Sequence, residues 1–280
     1  MLRRDTLFQE CVAEFVGIFF FMFIGTGCVA ALVLLQNYSS FWELSCIWGL
    51  AVASAIYLTG GASGAHLNPA VTIAFAVTRG FPKRKIAPYI AAQVAGAFAG
   101  AALTYVLYSH NFVAWETANN VVRGSAESKA LAGAFCTFAQ PYLSTVKACF
   151  VELCITAAFM ILIMGVTDSK NPSAPGAGMA ALIIGVGVAV IGGSFGALTG
   201  FALNPARDFG PRIFVYLAGW GDVAFPGPAG YFWVPIIGPT LGAVIGAVLY
   251  QKLIHKTLVM QSGEVTVEDL APAAQPAGDD

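Results

Sequence analysis

An all-α membrane protein, an inverted repeat of six spanning helices and two half-membrane re-entrant helices, is what three observations predict. The first is composition. The 280 residues are 58 % hydrophobic and 10 % charged, with a mean hydropathy of +0.74, whereas a soluble domain is about 25 % charged. The second is the pattern of apolar runs, six long and two short. The third is that Asn-Pro-Ala occurs twice, at 68–70 and 204–206, each time at the head of a short run.

The elements follow in order. The first span covers 8–35. Its stretch Phe15–Leu35 holds no charge and is long enough to cross about 30 Å of hydrocarbon. It exceeds a signal-peptide core, so it reads as an uncleaved span. Phe19, Phe20, Phe21 and Phe23 read as lipid-facing or packing residues. Spans at 41–60 and 85–108 follow, with the short piece 68–78 between them. A linker loop, 109–145, contains Cys136 alone among polar residues. Spans at 146–167, 178–196 and 231–254 complete the set, with the short piece 204–216 before the last. One transmembrane domain thus covers 1–255. The segment 256–280, acidic and Ala/Pro-rich, reads as a disordered tail.

The halves, about 7–108 and 146–254, repeat one another. AEF at 13–15 matches VEL at 151–153, and Glu14 precedes Asn68 by about the interval at which Glu152 precedes Asn204. Gly96 and Gly100 match Gly242 and Gly246, a small-residue spacing that lets helices approach closely in lipid. Three spans per half force the second half to insert upside down, which places a shared site near the bilayer midplane. With both termini in the cytoplasm, Arg3, Arg4, Arg79, Lys83, Arg84, Lys85, Lys170, Lys252 and Lys256 fall inside and only Arg123, Lys129, Lys147 and Arg212 outside, as the positive-inside rule requires. Arg207 remains within the membrane.

Asparagine is a strong helix N-cap and proline is favoured at the first helical position. Asn68-Pro69-Ala70 and Asn204-Pro205-Ala206 therefore each start a half-helix, and the two N-termini meet at the centre. The backbone before each cap, Gly64-Ala65-His66-Leu67 and Gly200-Phe201-Ala202-Leu203, is non-helical, and its carbonyls line an aqueous path, since bare backbone at that depth needs water or protein beside it. Each asparagine oxygen is spent on its own helix, leaving its NH₂ to face the path. Two such donors and two positive helix ends predict passage of neutral molecules and rejection of ions. Two incidental caps are the alternative, which the matching repeat positions disfavour.

SGAHLNPAVTIA and TGFALNPARDFGP, with AEF near the start, resemble the signature segments of the aquaporin (major intrinsic protein) family over about residues 7–255. The details are similar to its glycerol-conducting branch, bacterial members especially. The resemblance implies a right-handed six-helix fold, a homotetramer with one pore per subunit, and a filter of Trp48, Gly192, Phe201 and Arg207. Asp208 also resembles the glycerol branch. It implies glycerol as solute, some water passage, and an inner-membrane location. Arg207 is costly at that depth unless it faces water or a partner, and Trp48 and Phe201 would supply an apolar wall. Blander roles stay open: an interfacial belt for Trp48, packing for Phe201, helix contact for Gly192, a helix-end charge for Asp208.

Glu14 and Glu152, intramembrane carboxylates at matching positions, read as acceptors for loop N–H groups, with a proton relay as the alternative. His66 reads as a carbonyl donor with a packing ring. No metal spacing, cofactor loop, nucleophile–base pair or basic nucleic-acid surface is present. A water-only channel, an ion-coupled transporter and a structural junction are the competing functions.

Overall fold

The computed structural model describes residues 6–38 and 40–262. Arg3, Arg4 and residues 263–280 of the expected tail lie outside them. The described residues form ten α-helices, α1 (Thr6–Leu35), α2 (Phe41–Ser63), α3 (Pro69–Thr78), α4 (Lys83–Asn119), α5 (Lys129–Ala132), α6 (Thr145–Val166), α7 (Ala180–Thr199), α8 (Pro205–Val215), α9 (Val234–Tyr250) and α10 (Lys256–Gln261). Among the described residues six helices are long and apolar enough to span a bilayer, the sixth running from Pro228 to Gln261. The chain is a multi-pass membrane protein.

Glycine spacing explains the packing. α1 packs on α4 and α6 on α9, the same pair in each half, while α2 on α7 joins the halves. A Cβ at Gly96 or Gly100 would fall on the carbonyl oxygen of Phe15 or Phe19, and one at Gly242 or Gly246 on that of Leu153 or Ala157. Each half thus presses two glycines against the backbone of its first helix. Gly49 and Gly185 do the same between halves, each without room for a Cβ beside the other's carbonyl. With no hydrophobic drive between helices in lipid, this van der Waals fit holds the bundle.

Three expectations are corrected. α4 runs to Asn119, eleven residues beyond the expected end of its span, because 109–119 contain neither glycine nor proline and Asn120 closes the helix in the left-handed region at φ 54°. The 109–145 segment is therefore only partly a loop. Cys136 is buried, only 1 % exposed, packed near Phe112, Phe135 and Trp220. Residues 256–261 are helical, carrying Leu258, Val259 and Met260 ahead of the first breaker, Gly263.

The start of α1, the stretch leading into α10 and the charged ends of α3, α4 and α6 share one face, the terminal face. Lys85 bonds Glu10, Arg79 bonds Thr167 and His255 bonds Asp168 across it.

Candidate channel

The two re-entrant loops have one backbone conformation. α2 and α7 end in left-handed caps, Gly64 and Gly200, both at φ 83°. Ala65 and Phe201 follow at φ 47° and 39°, and Leu67 and Leu203 at 49° and 56°. A non-glycine residue in that region costs about 1–3 kcal/mol and persists only where its surroundings over-determine it. The carboxylates do so. Glu14 accepts from the backbone N–H groups of His66 (2.9 Å) and Leu67 (2.6 Å), from Ser63 Oγ (2.6 Å) and from Gln93 Nε2 (2.7 Å). Glu152 accepts from Ala202 N (2.9 Å), Leu203 N (3.1 Å) and Thr199 Oγ1 (2.6 Å). Both are fully buried and accept hydrogen bonds in each of these contacts, the geometry of an acceptor role. These bonds hold the N–H groups of His66, Leu67, Ala202 and Leu203 on the carboxylates. His66 packs its ring between Phe75, Phe81 and Tyr89, with Nδ1 3.1 Å from Thr72 Oγ1.

The caps form as their residue types dictate. Asn68 Oδ1 accepts from Ala70 N at 2.8 Å, and Asn204 Oδ1 from Ala206 N and Arg207 N at 3.0 and 3.2 Å; Pro69 and Pro205 open the half-helices. The amides are not wholly free. Asn68 Nδ2 donates to the Leu203 carbonyl (2.9 Å) and Asn204 Nδ2 to that of Leu67 (2.7 Å). One hydrogen of each NH₂ therefore ties the opposite loop, and the second is left for the path. Leu67, expected among the channel-facing carbonyls, lines the larger cavity, and its oxygen also accepts from Asn204.

Two cavities meet at one waist. The larger, about 330 Å³, runs from Arg79 and Thr167 past Gly64, Ala65, His66, Asn68, Ala202 and Asn204 to Trp48, Phe201 and Arg207. The smaller, about 280 Å³, lies beyond it against 129–141 and Gly200. Trp48, Phe201 and Arg207 line both. The Arg207 guanidinium lies over the Trp48 ring at 4.2 Å, and its Nη1 donates to the Phe135 carbonyl at 3.2 Å. With five donors on the fork, it keeps several for a passing molecule. Trp48 is thus a waist residue and no belt residue, being 3 % exposed within the chain.

Gly192 lines neither cavity. A Cβ there would sit 2.7 Å from Ser45 Oγ and 2.9 Å from the Phe201 ring. Glycine makes room for the Phe201 ring, which is what faces the waist. Phe21 takes the packing role of the two expected for it, and it also lines the larger cavity and meets Trp48 edge-on at 6.4 Å. Its position seven residues after Glu14, on the same helix face, was the available signal.

Asp208 does more than favour a helix end. It accepts from Thr137 N and Oγ1, both at 2.7 Å, and pairs with Arg212 Nε at 2.7 Å, with both side chains fully buried. Arg212, placed outside by charge counting, also donates to the carbonyls of Thr137 (2.6 Å) and Ala224 (3.2 Å). The pair fastens the 133–141 strap whose Phe135 carbonyl orients Arg207. Removing one partner of a buried pair costs about 3–5 kcal/mol. Arg212→Met is expected to lower the midpoint of thermal denaturation in detergent by roughly 10 °C; a midpoint unmoved by more than a degree or two contradicts this.

The profile of the major intrinsic protein family matches residues 1–250. The chain is 53 % identical over 260 residues to the glycerol uptake facilitator protein of Escherichia coli K12, covering 92 % of both chains. It is 51 % identical to the propanediol uptake facilitator of Citrobacter freundii, over 91 % of this chain and 95 % of that one. The solved aquaglyceroporin of Plasmodium falciparum superposes with a TM-score of 0.79 at 33 % identity, over 91 % of this chain and 99 % of the other. With its paired half-helices, crossed asparagines and buried loop carboxylates, the chain belongs to the major intrinsic protein family.

Proposed function

We propose that this protein is a passive channel for glycerol and other small neutral solutes, with some water, and that it excludes ions and protons. The waist carries the reading. Arg207 offers unspent donors on one side while Trp48 and Phe201 form apolar walls, and a polyol has hydroxyls on one edge and carbon on the other. The likeness to glycerol and propanediol facilitators supports the same solute class. A buried cation together with two converging helix N-termini opposes cation and proton entry. The lining of both cavities includes no carboxylate among the described residues, so an ion-coupled cycle has no acidic carrier there. Lys83, Arg84, Lys85, Lys252 and Lys256 at the terminal face support cytoplasmic termini in a cell (inner) membrane. The functional unit is a homotetramer, as the family resemblance implies.

Light scattering from proteoliposomes rapidly mixed with glycerol tests this. Expected is fast, non-saturating entry, far above empty vesicles, with no proton or cation current in a planar bilayer. Fast water flux without glycerol entry would make it a water channel; uphill, gradient-dependent uptake would make it a coupled transporter.

A further inference from the structure

We propose that the terminal-face mouth holds a second solute station, built on Arg79, Phe75 and Thr167, which takes the hydroxyls of a polyol as it passes between channel and water. The inference rests on the glycerol-channel reading and adds a site to it.

Arg79, Phe75 and Thr167 line the end of the larger cavity that lies away from Arg207. Their arrangement reproduces the waist. The Arg79 guanidinium lies over the Phe75 ring at 4.8 Å, as Arg207 lies over Trp48 at 4.2 Å. Arg79 Nη2 donates to the Met164 carbonyl at 3.2 Å, as Arg207 Nη1 donates to that of Phe135. Its Nη1 donates to Thr167 Oγ1 at 2.9 Å. These bonds leave Nε–H and one hydrogen on each terminal nitrogen without an acceptor in the described chain. Thr167 gives its own hydrogen to Ile163 O at 2.6 Å, so the one lone pair that Arg79 does not take is left as an acceptor. The imidazole of His66, in contact with the same Phe75 ring at 5.1 Å, lines the cavity as well. Ala180, Ala181 and Ile184 form an apolar wall. Donors and an acceptor on one side and carbon on another fit a vicinal diol.

Among the described residues Arg79 has no ion-pair partner. The acidic group beside this mouth, Asp168, acts on it only from a distance. Asp168 is committed to His255 Nδ1 (2.7 Å), Tyr250 OH (3.0 Å) and Lys170 N (2.9 Å). Burial opposes its charge, yet these donors hold its carboxyl below the usual range. Arg79 is not a relic of the repeat either. Eleven residues after Asn204 the corresponding position is Val215, fully buried. The plainer role is a cation closing the C-terminal end of α6 through Met164, and the test separates the two.

The test is proteoliposome light scattering that reads glycerol and osmotic water permeability in one preparation, for the unsubstituted channel, Arg79→Met and Arg79→Lys. A station that raises the share of polyol in the mouth predicts that Arg79→Met lowers the glycerol-to-water ratio about fivefold, the size of one ordinary net hydrogen bond made beside water. Arg79→Lys, which keeps the charge but loses the fork, is expected to lower it about twofold. A ratio that stays constant, or both permeabilities falling together with thermal stability, overturns the station and leaves the plainer role. If Arg79→Met does not reconstitute, the lysine variant decides by the same ratio. Absence of glycerol entry through the unsubstituted protein would instead overturn the channel reading itself.

Discussion

Glu152→Gln is expected to cut glycerol permeability by tenfold or more, and to do so more severely than Glu14→Gln. The two carboxylates have parallel jobs but different neighbours. On Glu152, Oε1 holds Thr199 Oγ1 and Ala202 N, and Oε2 holds Leu203 N. A glutamine keeps one oxygen, so an NH₂ must face one set of these donors. The bond to Leu203 is lost even in the better orientation. A hydrogen bond to a charged group contributes about 1.5–3 kcal/mol, and the loop behind it holds Phe201 and Leu203 at positive φ, so the cost falls on the residues that shape waist and crossing. About 1.4 kcal/mol is a factor of ten in population. At position 14 the new NH₂ meets Gln93, whose Oε1 has no partner. Rotating that amide supplies the acceptor, and the first loop is partly rescued. Water and glycerol permeability per reconstituted channel, measured for both variants, check this. Equal effects of the two substitutions, or a Glu152→Gln channel as fast as the parent, would sink the acceptor role.

Much of the fold is legible in the sequence because it depends on local quantities. Length and apolarity give the six spans, Asn-Pro gives both half-helix starts, and Gly96, Gly100, Gly242 and Gly246 give the close helix pairs. The ends of α4 and α10 were missed, since neither apolarity nor length marks where a helix stops when no breaker is present. The site is legible in its residues more than in its connections. The sequence names Asn68 and Asn204 but does not show that each amide binds a carbonyl more than 130 residues away. Gln93 and Arg212 were invisible as site residues, because an isolated polar residue in or near a span looks alike whether it faces a loop partner or water. Ala65, Leu67, Phe201 and Leu203 carry no mark of their left-handed backbone; the strain comes from Glu14 and Glu152 pulling on neighbouring amides. Gly192 reads as a filter residue from the family resemblance, whereas the geometry makes it the space behind Phe201.

That geometry gives the second large effect, from the smallest possible substitution. Gly192→Ala places a methyl carbon 2.9 Å from Phe201 Cε2 and 2.7 Å from Ser45 Oγ, closer than carbon is tolerated, so a neighbour must move. Ser45 is anchored, its Oγ donating to Phe41 O at 2.8 Å. The Phe201 ring is the movable party, and it cannot retreat freely. Phe41 stands edge-on to it at 6.0 Å, and a Cβ on Gly196 would already fall 2.6 Å from its Cδ1. The remaining direction is into the waist, toward Arg207 and Trp48. A waist narrowed by part of a ring excludes a carbon chain before it excludes a water molecule. Gly192→Ala is therefore expected to lower glycerol permeability about tenfold while water permeability changes by less than about twofold, a difference of the order that one or two methylenes make in a fitted pocket. Phe201→Ala added to it should return glycerol entry, because the displaced ring is then gone. Glycerol entry that stays low in the double variant would mean that residue 192 acts on the solute directly, and that the ring is not the intermediary.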